Sequence, residues 1–162
     1  MSTSPAGGSI DGDLVLATPE DTHRFGVRLG QLLRAGDLVI LAGGLGAGKT
    51  ALTKGIAVGM DVLGPVTSPT FVIARTHRPA GDGPGLVHVD AYRLSGSVEL
   101  ADLDLDTDLT RSALVVEWGA GVAEELAEAH LLVELDRRPD DTRWVRLTAV
   151  GGDWETRRAQ LL

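Results

Sequence analysis

The sequence predicts an α/β fold: layers built on a mixed, largely parallel central sheet flanked by helices. Two observations carry this. Strand-like and helix-like segments alternate along the 162 residues, as expected for a layered α/β domain. Asp37–Ala42 (DLVILA) is a continuous apolar run of strand length, the signature of a parallel strand buried on both faces. The turn-rich stretches 64–70 and 78–85 lie between closely spaced strand segments and admit an antiparallel portion.

The elements follow in order. Residues 1–13 are small, polar and rich in glycine and proline; such a composition does not repay ordering, which predicts a flexible leader. Leu14–Ala17 suits a short strand. Thr18-Pro19-Glu20-Asp21 reads as a helix start, with a capping hydroxyl, a first-turn proline and first-turn acids. Phe25, Leu29, Leu32 and Leu33 keep helical spacing, and Gly36 is expected to end the helix. After the strand at 37–42 come a glycine-rich turn and a helix over Thr50–Val58. Phe71–Thr76, Leu86–Val89, Ala113–Val116, Leu131–Leu135 and Arg143–Val150 read as strands. Residues 98–108 are dense in acids, read as a short helix and a solvated turn, and Val122–Ala129 as a helix. Residues 14–150 thus form a single domain, and 151–162 a C-terminal tail with helical potential.

Composition excludes several functions. The chain has no cysteine, so disulfide scaffolds, thiolate zinc sites, iron–sulfur clusters and thiol nucleophiles are ruled out. Its net charge of −8 argues against free-standing nucleic-acid binding, which shows a basic footprint. No apolar run approaches the roughly 18 residues of a membrane span, and the start lacks a secretory pattern. A soluble, intracellular protein is expected.

The strongest motif is Gly43-Gly44-Leu45-Gly46-Ala47-Gly48-Lys49-Thr50, which fits G-x-x-x-x-G-K-[ST]. Glycines let several backbone N–H groups face one concavity, where phosphate oxygens can sit. The helix start adds the positive end of its dipole. Lys49 supplies a charge for the β- and γ-phosphates, and the Thr50 hydroxyl a ligand for Mg²⁺. At this composition, chance gives on the order of 0.004 matches to the pattern. A buried strand precedes the turn and a helix follows it, the context in which such a turn holds phosphates.

Such a site needs an acid at the end of a neighbouring strand. Asp90 closes Leu86–Val89 and Glu117 closes Ala113–Val116, and strand ends border the crevice where open sheets bind ligands. Spacing does not divide the metal and water roles between them. His88 shares a strand face with Asp90 and, without a His/Cys cluster, reads as a hydrogen-bonding structural histidine.

LGAGKT, then SPTF at Ser68–Phe71, H-x-D-x-Y-R-L at His88–Leu94 and VEW at Val116–Trp118 occur in this order. In these four motifs the chain resembles the TsaE (YjeE) family, over roughly residues 14 to 150. The resemblance implies a P-loop NTPase-like layered fold, with 14–150 a single P-loop ATPase domain, and binding and hydrolysis of ATP to ADP with Mg²⁺, in the cytoplasm and away from membranes. It also implies two partner proteins that transfer a threonylcarbamoyl group to adenosine 37 of tRNA, with tRNA contacted only through that complex. Lys49, Asp90 and Glu117 would then be catalytic, with Glu117 and Thr50 on the metal and Asp90 near the attacking water. Leu45, Gly46, Ala47, Gly48, Lys49, Thr50 and Ala51 would hold the nucleotide, with Thr70 of a switch-like loop and Arg143. Two positions depart from the family's habit: Gly44 stands for an aspartate and Ala51 for a second threonine, which implies retained binding and slower hydrolysis.

Two other classes remain open, a small-metabolite P-loop kinase and a nucleotide-sensing module with little hydrolysis. A GTP switch is disfavoured, since neither Lys49 nor Lys54 lies in an N-K-x-D segment.

Overall fold

The structure, a computed structural model, describes residues 13–44, 47–64, 74–90, 110–117 and 129–162. Leader residues 1–12, Leu45, Gly46, Thr70, Trp118 and the segments read over 98–108 and 122–128 lie outside these.

Seven strands and three helices are described: β1 (Leu14–Leu16), α1 (Pro19–Leu32), β2 (Leu38–Gly43), α2 (Lys49–Met60), β3 (Ala74–His77), β4 (Gly85–Asp90), β5 (Ser112–Glu117), β6 (His130–Arg137), β7 (Arg143–Val150) and α3 (Trp154–Leu161). One sheet takes all the strands in the order β1-β7-β6-β2-β5-β4-β3. The four central strands, β6, β2, β5 and β4, are mutually parallel, and antiparallel pairs flank them on both sides. The mixed, largely parallel sheet expected from sequence is therefore present. Leu38, Val39, Ile40 and Leu41 are all fully buried, so both faces of β2 are covered, as its unbroken apolar run required.

The local signals hold in detail. Thr18 caps α1, its Oγ1 accepting from the Asp21 N–H at 3.1 Å, with Pro19 opening the helix. The helix ends at Leu32 rather than near Gly36. Leu33 is extended, and its N–H turns back to Gly30 O. Gly36, at φ +91°, instead bends the chain into β2, where its N–H donates to Ser112 O. Asp13, grouped with the leader in the sequence reading, is tied down. Its N–H donates to Val145 O, and its carboxylate accepts from the Leu147 N–H at 2.8 Å and pairs with Arg158. The tail carries α3, whose Trp154 and Leu161 join the core with Phe25, Leu29, Leu52, Ile56, Val115 and Val133.

α1 and α2 run side by side in the same direction with backbones almost touching. A Cβ at Gly26 would lie 2.4 Å from Leu52 O, and one at Gly55 2.2 Å from His23 O. Only glycine fits at either place. This close packing fixes where α2 begins relative to the sheet, and α2 begins at the phosphate-loop motif.

Candidate nucleotide site

β5 ends at Glu117 opposite Leu41 of parallel β2, which runs on to Gly43. β4 ends at the same level, Asp90 opposite Glu117. On the other side, Gly43 pairs with Leu135 of β6, and antiparallel β7 begins at Arg143 opposite Arg137. One edge of the sheet thus gathers Gly43, Glu117, Arg143 and, by its backbone, Asp90. These come from four strands far apart in sequence.

The turn after β2 is shaped by its last glycine. Gly48, at φ +106°, is the N-cap of α2, and no side chain caps that helix. The first N–H groups of a helix have no acceptor within it, and the first turn of α2 holds no acid, so its positive dipole end is not neutralised locally. Lys49 is buried, and its Nζ donates to Gly43 O at 2.8 Å, folding the side chain back over its own loop. Ala47 is buried; Thr50 and Ala51 are half-buried. Thr53 Oγ1 donates to Lys49 O and steadies the first turn.

Arg143 borders this loop from β7. A Cβ at Gly48 would lie 3.6 Å from Arg143 Nε and 3.6 Å from Thr22 Cγ2. The guanidinium is held by Nη1 donating to Asp141 O at 2.8 Å, and Asp141 adopts a left-handed φ of +71°. Nε is buried without a hydrogen-bond partner. A buried, unpaired guanidinium N–H beside a phosphate-loop motif is unspent capacity for an anion.

Glu117 is buried at the C-terminal end of β5, and the fully buried His88 donates from Nε2 to its Oε2. A carboxylate can only accept, so the imidazole is the donor. Among the described residues no group of three histidines or carboxylates could cage a metal. The oxygen donors at this edge, the Thr50 hydroxyl and the Glu117 carboxylate, suit a hard cation that brings phosphates and waters of its own.

Of the residues singled out from sequence, Ala47, Gly48, Lys49, Thr50, Ala51, Glu117 and Arg143 meet at this edge, joined by the backbone of Asp90. Leu45, Gly46 and Thr70 lie outside the described residues. Thr22 beside Gly48 and Asp141 behind Arg143 were not anticipated. Thr22 reaches the loop because α1 packs against α2, and Asp141 holds Arg143 through its carbonyl at 2.8 Å and its carboxylate at 3.6 Å, a contact between residues two apart that no motif marks.

A strand, a glycine-shaped turn, a helix-opening lysine and a strand-end acid on one parallel-sheet edge define a P-loop NTPase-like α/β protein. The comparisons specify which kind. A family model described as threonylcarbamoyl adenosine biosynthesis protein TsaE matches residues 16–145. The tRNA threonylcarbamoyladenosine biosynthesis protein TsaE of Streptomyces coelicolor is 57% identical over 145 residues, covering 86% of this chain and 98% of that protein. Its Bacillus subtilis counterpart is 37% identical over 139 residues, 85% of each chain. The crystal structure of Bacillus subtilis YdiB superposes with a TM-score of 0.73 at 31% identity, covering 91% of both chains. The chain belongs to the TsaE family, which serves tRNA threonylcarbamoyladenosine biosynthesis. No helix among the described residues is long and apolar enough to cross a membrane.

Proposed function

We propose that this protein binds ATP at the turn between β2 and α2 and hydrolyses it with magnesium. The turnover would support threonylcarbamoylation of adenosine 37 in tRNA, performed with two other proteins of the bacterial threonylcarbamoyl-transferase complex. The observation that carries this reading is the convergence at one sheet edge of Lys49, the uncapped start of α2, Arg143 Nε and Glu117.

Each group has a task suited to its chemistry. Lys49 exchanges its carbonyl contact for the β- and γ-phosphates, trading a neutral acceptor for a charged one. The first-turn N–H groups of α2 take phosphate oxygens, and Arg143 Nε donates to the same polyanion. Thr50 and Glu117 hold the magnesium ion. That ion, when bound, neutralises charge growing on the phosphate oxygens. Asp90, at the end of β4, orients the attacking water.

A net charge of −8 makes the chain a poor ligand for tRNA phosphates by itself, which favours tRNA contact through its partners. The test is twofold. Calorimetry with ATP and Mg²⁺ should give saturable heat whose affinity Lys49→Ala lowers. Multiple-turnover modification of tRNA, reconstituted with the two partners, should require this protein and release ADP and phosphate. Absence of heat from folded protein would refute the binding site; a phosphorylated metabolite in place of free phosphate would point to a kinase.

A further inference from the structure

We infer that His88 is the positioning residue for Glu117: its Nε2–H holds Oε2 of the carboxylate and leaves Oε1 as the oxygen offered to a divalent cation or to water on it. The inference rests on the reading of Glu117 as the metal-holding acid and goes one layer behind it.

Three observations carry it. The first is placement. In the parallel β4–β5 register His88 lies opposite Val115, and Asp90 opposite Glu117. The contact therefore runs diagonally across the pair, along the sheet face that His88 and Glu117 share. Two strands adjacent in the sheet fix both residues, so the geometry belongs to the rigid core and not to a loop. The second is burial. The Glu117 side chain retains 8% of its exposure and that of His88 none. A carboxylate so far from solvent needs a donor, and glutamate has three side-chain torsions to restrain before it can serve a cation at a fixed place. His88 is the donor recorded for it among the described residues.

The third observation is a cost. His88 Nδ1 is buried without a hydrogen-bond partner, and leaving such an atom unsatisfied disfavours folding. An apolar side chain of similar volume would fill this place in the sheet without that penalty. The imidazole is thus a poor choice as filler and a sound one as a donor aimed at Glu117. It corresponds to the outer-layer hydrogen bonds that orient metal-holding carboxylates elsewhere. The Nε2 side of the ring faces Glu117, and Nδ1 faces no hydrogen-bond partner.

The experiment compares ADP affinity by calorimetry, with Mg²⁺ and with chelator, for the full-length protein and three variants. His88→Leu should reduce the magnesium-dependent gain in affinity about 10- to 100-fold, while magnesium-free affinity stays within about twofold. His88→Gln, which returns a side-chain N–H, should recover most of the gain. Glu117→Gln should remove it. If Glu117→Gln keeps the gain, the reading of Glu117 is wrong. If Glu117→Gln loses it and His88→Leu does not, Glu117 stands and the positioning role falls. Should His88→Leu fail to fold, nitrogen-15 NMR of the wild-type imidazole decides. An Nε2–H tautomer whose Nε2 resonance moves when Mg²⁺ is added to the ADP complex supports the role. An Nδ1–H tautomer, or a resonance indifferent to Mg²⁺, overturns it.

Discussion

Lys49 Nζ donates to the carbonyl of Gly43 at 2.8 Å, six residues back along the chain. The ammonium that would meet the terminal phosphates is thus held across the mouth of its own loop, prepaid in position. Removing it withdraws a charge-assisted hydrogen bond from bound nucleotide, about 1.5–3 kcal/mol, or roughly 10- to 100-fold in affinity. Lys49→Ala should therefore weaken ATP binding by that factor and abolish phosphate release. The unfolding transition should stay close to wild type, since the Gly43 carbonyl can turn to water. Calorimetry and a phosphate-release assay on one preparation check both. Undiminished turnover would remove the lysine from the site.

The two departures at the loop make a separate prediction. A Cβ built on Gly44 meets nothing within 4 Å, and the residue is exposed, so an aspartate enters without clash. Ala51 lies in the first turn of α2, where a threonine hydroxyl costs a few tenths of a kcal/mol in helix propensity. Gly44→Asp and Ala51→Thr should leave the fold intact and raise ATP turnover several-fold, with smaller changes in ADP affinity. Identical turnover and affinity in both variants would show that the missing polar groups do not limit this site.

The fold was legible because its strongest signals are local. The DLVILA run of β2, the Thr18-Pro19 start of α1 and the glycine–lysine turn each state their structure within a few residues. For the candidate site, side-chain type at motif positions singles out Lys49, Thr50 and Glu117, while Arg143 enters only through the family resemblance; the structure brings all four to one end of the sheet. What escaped depends on register or distance. That His88 reaches Glu117 follows from the pairing of β4 with β5, and no period in either segment reports a pairing. Asp13 was grouped with the leader because its neighbours are small and polar. Its anchors, Val145, Leu147 and Arg158, lie more than 130 positions away. The helix end was misplaced for a related reason: a glycine at positive φ can close a helix or open the following strand, and Gly36 does the second.

The α1–α2 contact is a second feature hidden from sequence and easily tested. Alanine at Gly55 gains up to about 1 kcal/mol in helix propensity. Its Cβ, however, would sit 2.2 Å from His23 O, a backbone atom that moves only if the whole helix moves. Overpacking of this kind costs about 1–3 kcal/mol, so the clash wins. Gly55→Ala should lower the thermal midpoint by several degrees and, by displacing the start of α2, weaken ATP binding as well. Thermal unfolding followed by circular dichroism and calorimetry with ATP measure the two effects. A midpoint at or above wild type would mean that the helices part more easily than their backbones suggest.

The last prediction concerns the tail, where α3 is pinned to the start of β2. Arg157 bonds Asp37 through both terminal nitrogens, Nη1 to Oδ2 at 2.5 Å and Nη2 to Oδ1 at 3.0 Å, while its Nε donates to Asp153 at 2.9 Å. Burial alone would lower the guanidinium's pKa, but the hydrogen bond and charge of Asp37, helped by Asp153, outweigh it, and the pKa is raised. Arg157 thus stays charged, and removing Asp37 leaves a buried cation with only Asp153 and the Leu32 carbonyl to hold it. Asp37→Ala should cost on the order of 3 kcal/mol, far more than Arg24→Ala, whose pair with Asp21 is exposed and worth under about 1 kcal/mol. Asp153 adds a pH signature. The Arg34 hydrogen bond holds its carboxyl below the usual 3.8, against the opposing effect of burial and with help from Arg157. A depressed carboxyl binds fewer protons folded than unfolded, so its support is complete above the unfolded value and is lost as pH falls through the folded one. Acid unfolding followed by circular dichroism should therefore be shallower below about pH 4 in Asp153→Asn than in wild type. Superimposable acid limbs would show that Arg34 and Arg157 hold Asp153 no more tightly than water does.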